Sequence, residues 1–401
     1  MEPKKYIKNT SKENQLNFEE VKEAVYQAIQ SEIEALNRSY PPNANYSLSS
    51  KGEIQRDYSL YVGCGGNLYL YWNLHRHTGN YEAQMLASLE ATKNLPKKDL
   101  DPPSFFVGKC GIHTLEAVIT KNEHSVEKVL AAQNLVHHPQ AQDELLNGNA
   151  GYLYCLLFLL KHYPEYPQKN RIVDLVHLVA QELVQRGNRN GVLKYSFPRG
   201  GGRYLGAAHG TIGVLHVLLQ AHSVLGNVYD EILTSTLSFI LSQQFASGNF
   251  PVLEGLEEDT VVHWCHGGPG AVPMLIEAYK VFGDRAYLEA AEKAGEDIWT
   301  RGLIKKGKGL CHGVAGNAYS FIHLFRITQE EKWLKKAFSF AEKMLRDQEF
   351  EAEVKGYWDP QRKKTGVPDT PFSLMEGKAG EVCFYSDLVH WQSALFPGYD
   401  I

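Results

Sequence analysis

Two kinds of apolar pattern alternate along this chain. In the first, apolar residues fill nearly every position, as in Tyr152-Leu153-Tyr154-Cys155-Leu156-Leu157-Phe158-Leu159-Leu160 and Val214-Leu215-His216-Val217-Leu218-Leu219. A helix of that composition is buried on all sides. In the second, apolar residues recur on one face only. Tyr287, Leu288, Ala290, Ala291, Ala294 and Ile298 alternate with Glu289, Glu292, Lys293 and Glu296; Leu334, Ala337, Phe338, Ala341, Met344 and Leu345 alternate with Lys335, Lys336, Glu342 and Lys343. Such spacing predicts helices with a solvated side, on which Lys336 falls. Val21, Ala24, Val25, Ala28, Ile29, Ile33 and Leu36 give one more amphipathic stretch near the N-terminus. Strand signals are scarce, and the turn-rich stretches Asn188 to Gly202 and Lys355 to Pro371 predict loops or short hairpins.

Each all-round apolar run is opened by G-x-x-G. The motif begins at Gly63, Gly108, Gly148, Gly210, Gly267, Gly313 and Gly377, and its final glycines lie 40 to 64 residues apart. That spacing holds two helices and two loops per unit. One buried and one half-buried helix, repeated seven times, predict an all-α, seven-unit α/α toroid. On this reading residues 56–401 form a single toroid and residues 1–55 a partly helical extension. Glycine lets the loop turn sharply and approach its neighbours. The expectation is that unsatisfied N–H groups of the inner helices face the end of the ring.

With 401 residues and 43% hydrophobic content, the chain can bury a large core. Its net charge of −5 supplies no global basic field for nucleic acid or anionic membrane. An anionic ligand must therefore be held by local cations. The N-terminus shows no apolar stretch of secretory type, and the longest apolar run is too short to span a bilayer. A soluble toroid fits better than a membrane receptor, although rings of apolar helices mimic spans. The six cysteines (64, 110, 155, 265, 311 and 383) cluster around the glycine motifs and read as reduced thiols of a cytoplasmic protein.

The candidate chemistry sits at one register. The residues just before the first glycines are Val62, Val107, Asn147, His209, His266, His312 and Glu376; one position earlier stand Tyr61, Phe106, Leu146, Ala208, Cys265, Cys311 and Met375. The first two units present apolar side chains and the last five polar or ionisable ones. Thiolate and imidazole donors at equivalent loop positions point to zinc. Cys265, Cys311 and His312 are the chosen ligands, leaving a fourth position for water or substrate. His266 competes as a fourth ligand, and spacing alone leaves three and four ligands open. His209 is the acid/base candidate, and Glu144 either orients a base or caps a helix. His263 and Trp264 read as loop packing, and His113, His216 and His323 as hydrogen-bonded core histidines. Coordination deprotonates a thiol whose ordinary pKa is near ~8.5. Two thiolate ligands offset the ion's charge and keep a bound thiolate nucleophilic, which suits sulfur attack on carbon. Lys305, Lys306 and Lys308, directly upstream of Cys311, could hold carboxylates of an anionic thiol; Arg199 and Arg203 are a second, weaker pair.

His263-Trp264-Cys265-His266-Gly267-Gly268-Pro269-Gly270, Gly309-Leu310-Cys311-His312-Gly313-Val314-Ala315-Gly316-Asn317-Ala318-Tyr319 and Gly206-Ala207-Ala208-His209-Gly210 resemble the eukaryotic branch of the lanthionine synthetase C-like family. Pro368-Asp369-Thr370-Pro371-Phe372-Ser373-Leu374-Met375-Glu376-Gly377 resembles the same branch, and the similarity runs from about Tyr58 to the C-terminus. The resemblance implies a seven-unit toroid with one zinc at its mouth. Bacterial relatives add peptide cysteines to dehydrated serine or threonine. Eukaryotic relatives bind glutathione and are implicated in adding it to dehydroalanine or dehydrobutyrine in damaged proteins. By residue match Cys265, Cys311 and His312 are zinc ligands, His209 is the acid/base, and Lys306 corresponds to a lysine near glutathione. Lys308, Arg203 and His266 complete the candidate substrate-binding set. Two departures bear on substrate recognition. Lys363 and Lys364 lie further upstream of Pro-Asp-Thr-Pro than the basic residue of animal members, and Pro198-Arg199-Gly200-Gly201-Gly202-Arg203-Tyr204 is richer in glycine.

The expected function is zinc-dependent addition of glutathione to dehydroamino acids in peptides or proteins, with neither nucleic acid nor a membrane span involved. A glutathione-binding scaffold without turnover is the alternative from another class. A structural zinc in a carbohydrate-active or prenyl-transferring α/α barrel is a third reading.

Overall fold

Helices account for nearly all regular structure in the computed structural model, which describes residues 5–9, 17–93, 101–196, 202–359, 364–365 and 368–401. In chain order they are α1 (Phe18–Ser39), α2 (Gly65–Thr78), α3 (Glu82–Ala91), α4 (Lys109–Thr120), α5 (Glu123–Ala131), α6 (Asn149–His162), α7 (Lys169–Gly187), α8 (Thr211–Gln220), α9 (His222–Leu225), α10 (Asp230–Ser242), α11 (Gly268–Phe282), α12 (Arg285–Arg301), α13 (Val314–Thr328), α14 (Glu331–Arg346), α15 (Gln348–Gly356) and α16 (Lys378–Val389). Three two-stranded antiparallel pairs complete the described elements: β1 (Ser47–Leu48) with β2 (Ile54–Gln55), β3 (Asn188–Arg189) with β4 (Val192–Leu193), and β5 (Trp358–Asp359) with β6 (Lys364–Thr365). The last two pairs are the hairpins expected from turn chemistry. Asn190 and Gly191 between β3 and β4 both take positive φ (55° and 84°), as a tight hairpin turn of this hand requires.

Each glycine motif opens a buried helix: α2, α4, α6, α8, α11, α13 and α16. In α6 burial is unbroken from Asn149 to Leu159. The helices between them bury one face. Val21, Val25, Ala28, Ile29, Ile33 and Leu36 line the inner side of α1. In α14 the apolar face is as expected, but Lys336 departs from it. It is 1% exposed, its Nζ lies 2.6 Å from Glu296 Oε2, and it sits over the Trp333 and Trp299 rings at 4.5 and 5.5 Å. Two indole faces and a carboxylate that reaches solvent compensate a buried ammonium, which periodicity alone assigns to water.

Contacts group the helices into two units. One contains α1 to α3 and α13 to α16. There α2 packs on α3, α13 on α14, α16 on α2 and α13, and α1 lies along α14 and α16. Its polar centre is Asp387, fully buried, which accepts hydrogen bonds from His77 Nε2 (2.6 Å), Arg76 Nη2 (3.1 Å), Asn73 Nδ2 (3.3 Å) and the Tyr319 hydroxyl (2.6 Å). The other unit contains α4 to α11. There α4, α6, α8 and α11 are successive neighbours, and α5 and α7 cover α4 and α6.

The loops that enter the buried helices are stitched to them by one repeated device. The N–H groups of Cys64, Asn149, Thr211, Val314 and Lys378 donate to the carbonyls of Asp57, Gln142, Tyr204, Gly307 and Pro371, each seven residues upstream, at 2.8 to 3.1 Å. At α4 and α11 a side chain does this work: Asp101 Oδ2 accepts from Lys109 N (3.1 Å) and Asn249 Oδ1 from Gly268 N (2.7 Å). One donor at the start of each buried helix, which the sequence left facing the ring's end, is therefore satisfied by a residue upstream of it.

Buried thiols tie stability to alkaline pH. Burial, with the nearby Asp57 carboxylate, pushes the Cys64 thiol up to about 12, and burial pushes Cys155 up to about 12. Cys110 and Cys383 are also raised well above the ordinary thiol value by burial. In the unfolded chain these groups release protons from about pH 8.5 upward, while the folded chain holds them. Stability is therefore unaffected below that pH and falls as pH rises toward 12, by up to about 1.4 kcal/mol per pH unit per thiol. Urea titrations between pH 8 and 11 should show this decline, and Cys155→Ala should flatten it; a midpoint constant to pH 11 contradicts it.

Candidate functional site

The loop before α13 is pinned on both sides. Val314, Ala315 and Gly316 donate to the carbonyls of Gly307, Lys308 and Gly309 at 3.0, 3.3 and 3.2 Å, and the N–H groups of Leu310 and Cys311 both donate to the Met375 carbonyl at 3.0 and 2.8 Å. A methyl group on Gly316 would overlap the Leu310 carbonyl, so only glycine permits this path. The result is a buried Cys311 and a half-buried His312 whose backbone has no slack. The Tyr61 hydroxyl donates to Cys311 Sγ at 2.7 Å. The His263 ring centre lies 6.1 Å from that of His312, and Trp264 is buried in a stack on Phe396 at 4.9 Å.

The loop before α11 is braced by Asn249, which donates to the Val261 carbonyl (2.8 Å) while accepting from Gly268. Gly267 takes φ +116°, where a side chain is strained. Ala208 N donates to the Cys265 carbonyl at 3.4 Å, and Gly206 comes so close to that carbonyl and to the His266 ring that no Cβ fits. This lays the His209 loop against the Cys265–His266 loop. The rings of His209 and His266 are 6.0 Å apart, and Tyr204 covers His266 at 5.6 Å.

His209 Nδ1–H donates to Glu144 Oε2, and Glu144 Oε1 accepts from Asn147 Nδ2. Glu144 is 5% exposed, while the His209 side chain is 26% exposed. The carboxylate fixes the tautomer that carries its proton on Nδ1. Beside this relay lies a cavity of about 200 Å³ lined by Asp143, Glu144, Arg186, Tyr195, Ser196 and His209. Arg186 there is held by Asp143 (2.8 Å) and Glu182 (3.7 Å).

Cys265, Cys311 and His312 form a group that could hold a metal ion: one ligand atom from each, all within 4.8 Å of one another. His266 is not a member of that group. The basic loop is more compensated than its sequence suggests. Lys305 lies 2.5 Å from Glu353 and Lys308 2.7 Å from Glu351, both on α15. Lys306 is half-buried beside Gly307, which takes φ +123°. Arg203 is half-exposed and pairs with Glu254 at 3.4 Å; Arg199 and Lys363 lie outside the described residues, as does most of the glycine-rich loop around Arg199. His113 bonds Glu116 (3.3 Å), but His216 sits 3.7 Å from Asp400 and stacks on Tyr399 at 4.0 Å, a packed rather than hydrogen-bonded core histidine.

Sequence reasoning missed three contributors. Tyr61 stands at the register of Cys265 and Cys311, and its hydroxyl was the signal; it was grouped with the apolar positions. Asn147 stands at the register of the three histidines and turns to Glu144. Residues 5–9 pair with the entrance to the basic loop: Ile7 N donates to Leu303 O (2.8 Å) and Lys305 N to Lys5 O (3.0 Å), a contact that no local pattern announces.

The family model for lanthionine synthetase C-like protein matches residues 54–401. The chain belongs to the lanthionine synthetase C-like family. It is 34% identical over 368 residues to "Glutathione S-transferase LANCL1" of Danio rerio, covering 88% of this chain and 87% of that protein. It is 31% identical over 371 residues to "LanC-like protein GCL1" of Arabidopsis thaliana, covering 86% and 82%. Among solved structures it is similar to nisin cyclase, with TM-score 0.62 and 16% identity, covering 94% of this chain and 97% of that one. The fold is thus the α/α toroid of the lanthionine cyclases. Among the described residues no single helix is long and apolar enough to cross a membrane.

Substitution separates three ligands from four. Cys265→Ala and Cys311→Ala should each abolish stoichiometric cobalt(II) uptake, measured by absorbance titration, while His266→Ala retains it. Retention in either cysteine variant, or loss in His266→Ala, contradicts this ligand set.

Proposed function

We propose that this chain holds zinc, binds glutathione and adds its sulfur to dehydroalanine or dehydrobutyrine residues in peptides or proteins. The observation that carries the reading is the group of two thiols and one imidazole within 4.8 Å. Those donors suit zinc, and Cys265, Cys311 and His312 would hold it while leaving a place for a substrate. Zinc bound there would supply a place where an incoming thiol is held as a nucleophilic thiolate.

The chain's own residues supply the rest. Lys306, with Lys308 sharing its charge between Glu351 and the ligand, holds the tripeptide's carboxylates. The segment at Lys5, bonded to Lys305, closes that loop from the other side. The thiol gives up its proton to water on binding, and His209 Nε2 takes one up. The sulfur attacks the β-carbon, the double-bond electrons move to the α-carbon and its carbonyl, and His209 Nε2–H delivers its proton to the α-carbon, so no net proton is gained or lost. No group leaves. Glu144 offsets the charge of the imidazolium before transfer, and Asn147 holds Glu144 in register. The relative named a glutathione S-transferase supports the thiol substrate. The buried free thiols of Cys64, Cys110, Cys155 and Cys383 support a reducing, cytosolic setting.

Two outcomes test this. His209→Ala should keep the metal and lose about 10²–10⁴-fold in the rate of adduct formation with a dehydroalanine peptide, followed by mass spectrometry. Turnover equal to the parent removes His209 from the chemistry, and a parent that gives no adduct above background removes the enzyme reading. Lys306→Ala should weaken glutathione binding roughly 10–100-fold by calorimetry, the size of a lost charge-assisted hydrogen bond. Unaltered affinity discards the carboxylate clamp.

A further inference from the structure

Cys311 is held by more than its own loop. The Tyr61 hydroxyl donates to its Sγ at 2.7 Å. The two residues are also locked together through the backbone. Met375 N donates to the Tyr61 carbonyl (3.0 Å), and the Met375 carbonyl accepts from the N–H groups of Leu310 and Cys311. Ser59 Oγ accepts from Val62 N (3.2 Å) and Gly63 N (3.1 Å), which fixes the turn that follows Tyr61. The backbones of the two residues are therefore tied to each other through Met375, and the phenol–sulfur hydrogen bond closes the set.

We propose that Tyr61 is a positioning residue for the metal centre, whose phenol O–H aims the Cys311 sulfur and withdraws charge from it. The inference rests on the metal reading given above. A divalent ion with two thiolates and a neutral imidazole carries no net charge, so a third, incoming thiolate makes the buried centre anionic. A buried unpaired charge is costly, and hydrogen bonds to the charged atoms are what lower that cost. A donor on Cys311 also makes this sulfur a weaker donor to the ion, which raises the ion's attraction for the next thiolate. Partners of this kind outside the ligand set change metal affinity typically by about 10–100-fold.

The test uses the full chain loaded with cobalt(II), read by the sulfur-to-cobalt charge-transfer absorption and by competition with a chelator. Tyr61→Phe should move that absorption to lower energy and weaken cobalt and zinc about 10–100-fold, the loss of aim on Cys311 outweighing the stronger donation of a sulfur no longer hydrogen-bonded to the phenol, with the helical circular dichroism unchanged. Tyr71→Phe is the control: that hydroxyl bonds Asn37 at 2.5 Å, so its removal should leave the band in place. Fluorotyrosine incorporated at position 61, a stronger donor of the same shape, should move the band to higher energy. Equal bands and affinities in parent, Tyr61→Phe and the fluorotyrosine protein overturn the proposal while leaving the metal reading intact. A parent protein that takes up no cobalt overturns both.

Discussion

The hydrogen bond from the first turn of each buried helix back to its own entry loop is the constraint on which this molecule depends. An apolar helix that enters a crowded core brings unsatisfied N–H groups with it, and water cannot reach them. Here a carbonyl seven residues upstream, or the side chains of Asp101 and Asn249, accepts from that turn. The loop must fold flat against the helix start to do so. That is why glycine recurs there: a methyl on Gly313 or Gly316 would strike the backbone of Gly309 or Leu310. A stability device thus becomes a positioning device, since the residues just before the first glycine are held wherever the capped loop puts them.

Function follows from which side chains occupy those fixed places. Cys311 and His312 sit in one such loop, with Met375 and Tyr61 bracing the sulfur. His209 sits in another, laid against the loop of Cys265 and His266 and oriented by Glu144. The remaining cysteines illustrate the contrast. Cys64, Cys110, Cys155 and Cys383 are buried, their thiols pushed far above neutrality, and they pack as small apolar groups.

Much of this was legible in the residues because repetition aligns equivalent positions. The register that carries Cys265, Cys311, His209, His266 and His312 can be read without any coordinates, and so can the alternation of fully and half-buried helices. What escaped is what repetition does not encode. Lys336 reads as solvated because the period counts only its own helix, whereas Trp299 and Glu296 come from another. Tyr61 reads as apolar because an aromatic ring in an apolar unit hides a hydroxyl whose partner is 250 residues away. Lys305 and Lys308 read as a basic field because the glutamates of α15 that offset them lie more than 40 residues further on. Each miss is a side-chain pairing between distant segments.

The central claim is that two cysteines and one histidine hold an ion that retains a place for an incoming thiol. Zinc K-edge absorption on the purified protein, with and without glutathione, measures it directly by counting sulfur neighbours. The account predicts two sulfurs in the resting protein and three when the tripeptide is present. A metal-free protein, or a sulfur count that glutathione leaves unchanged, contradicts it.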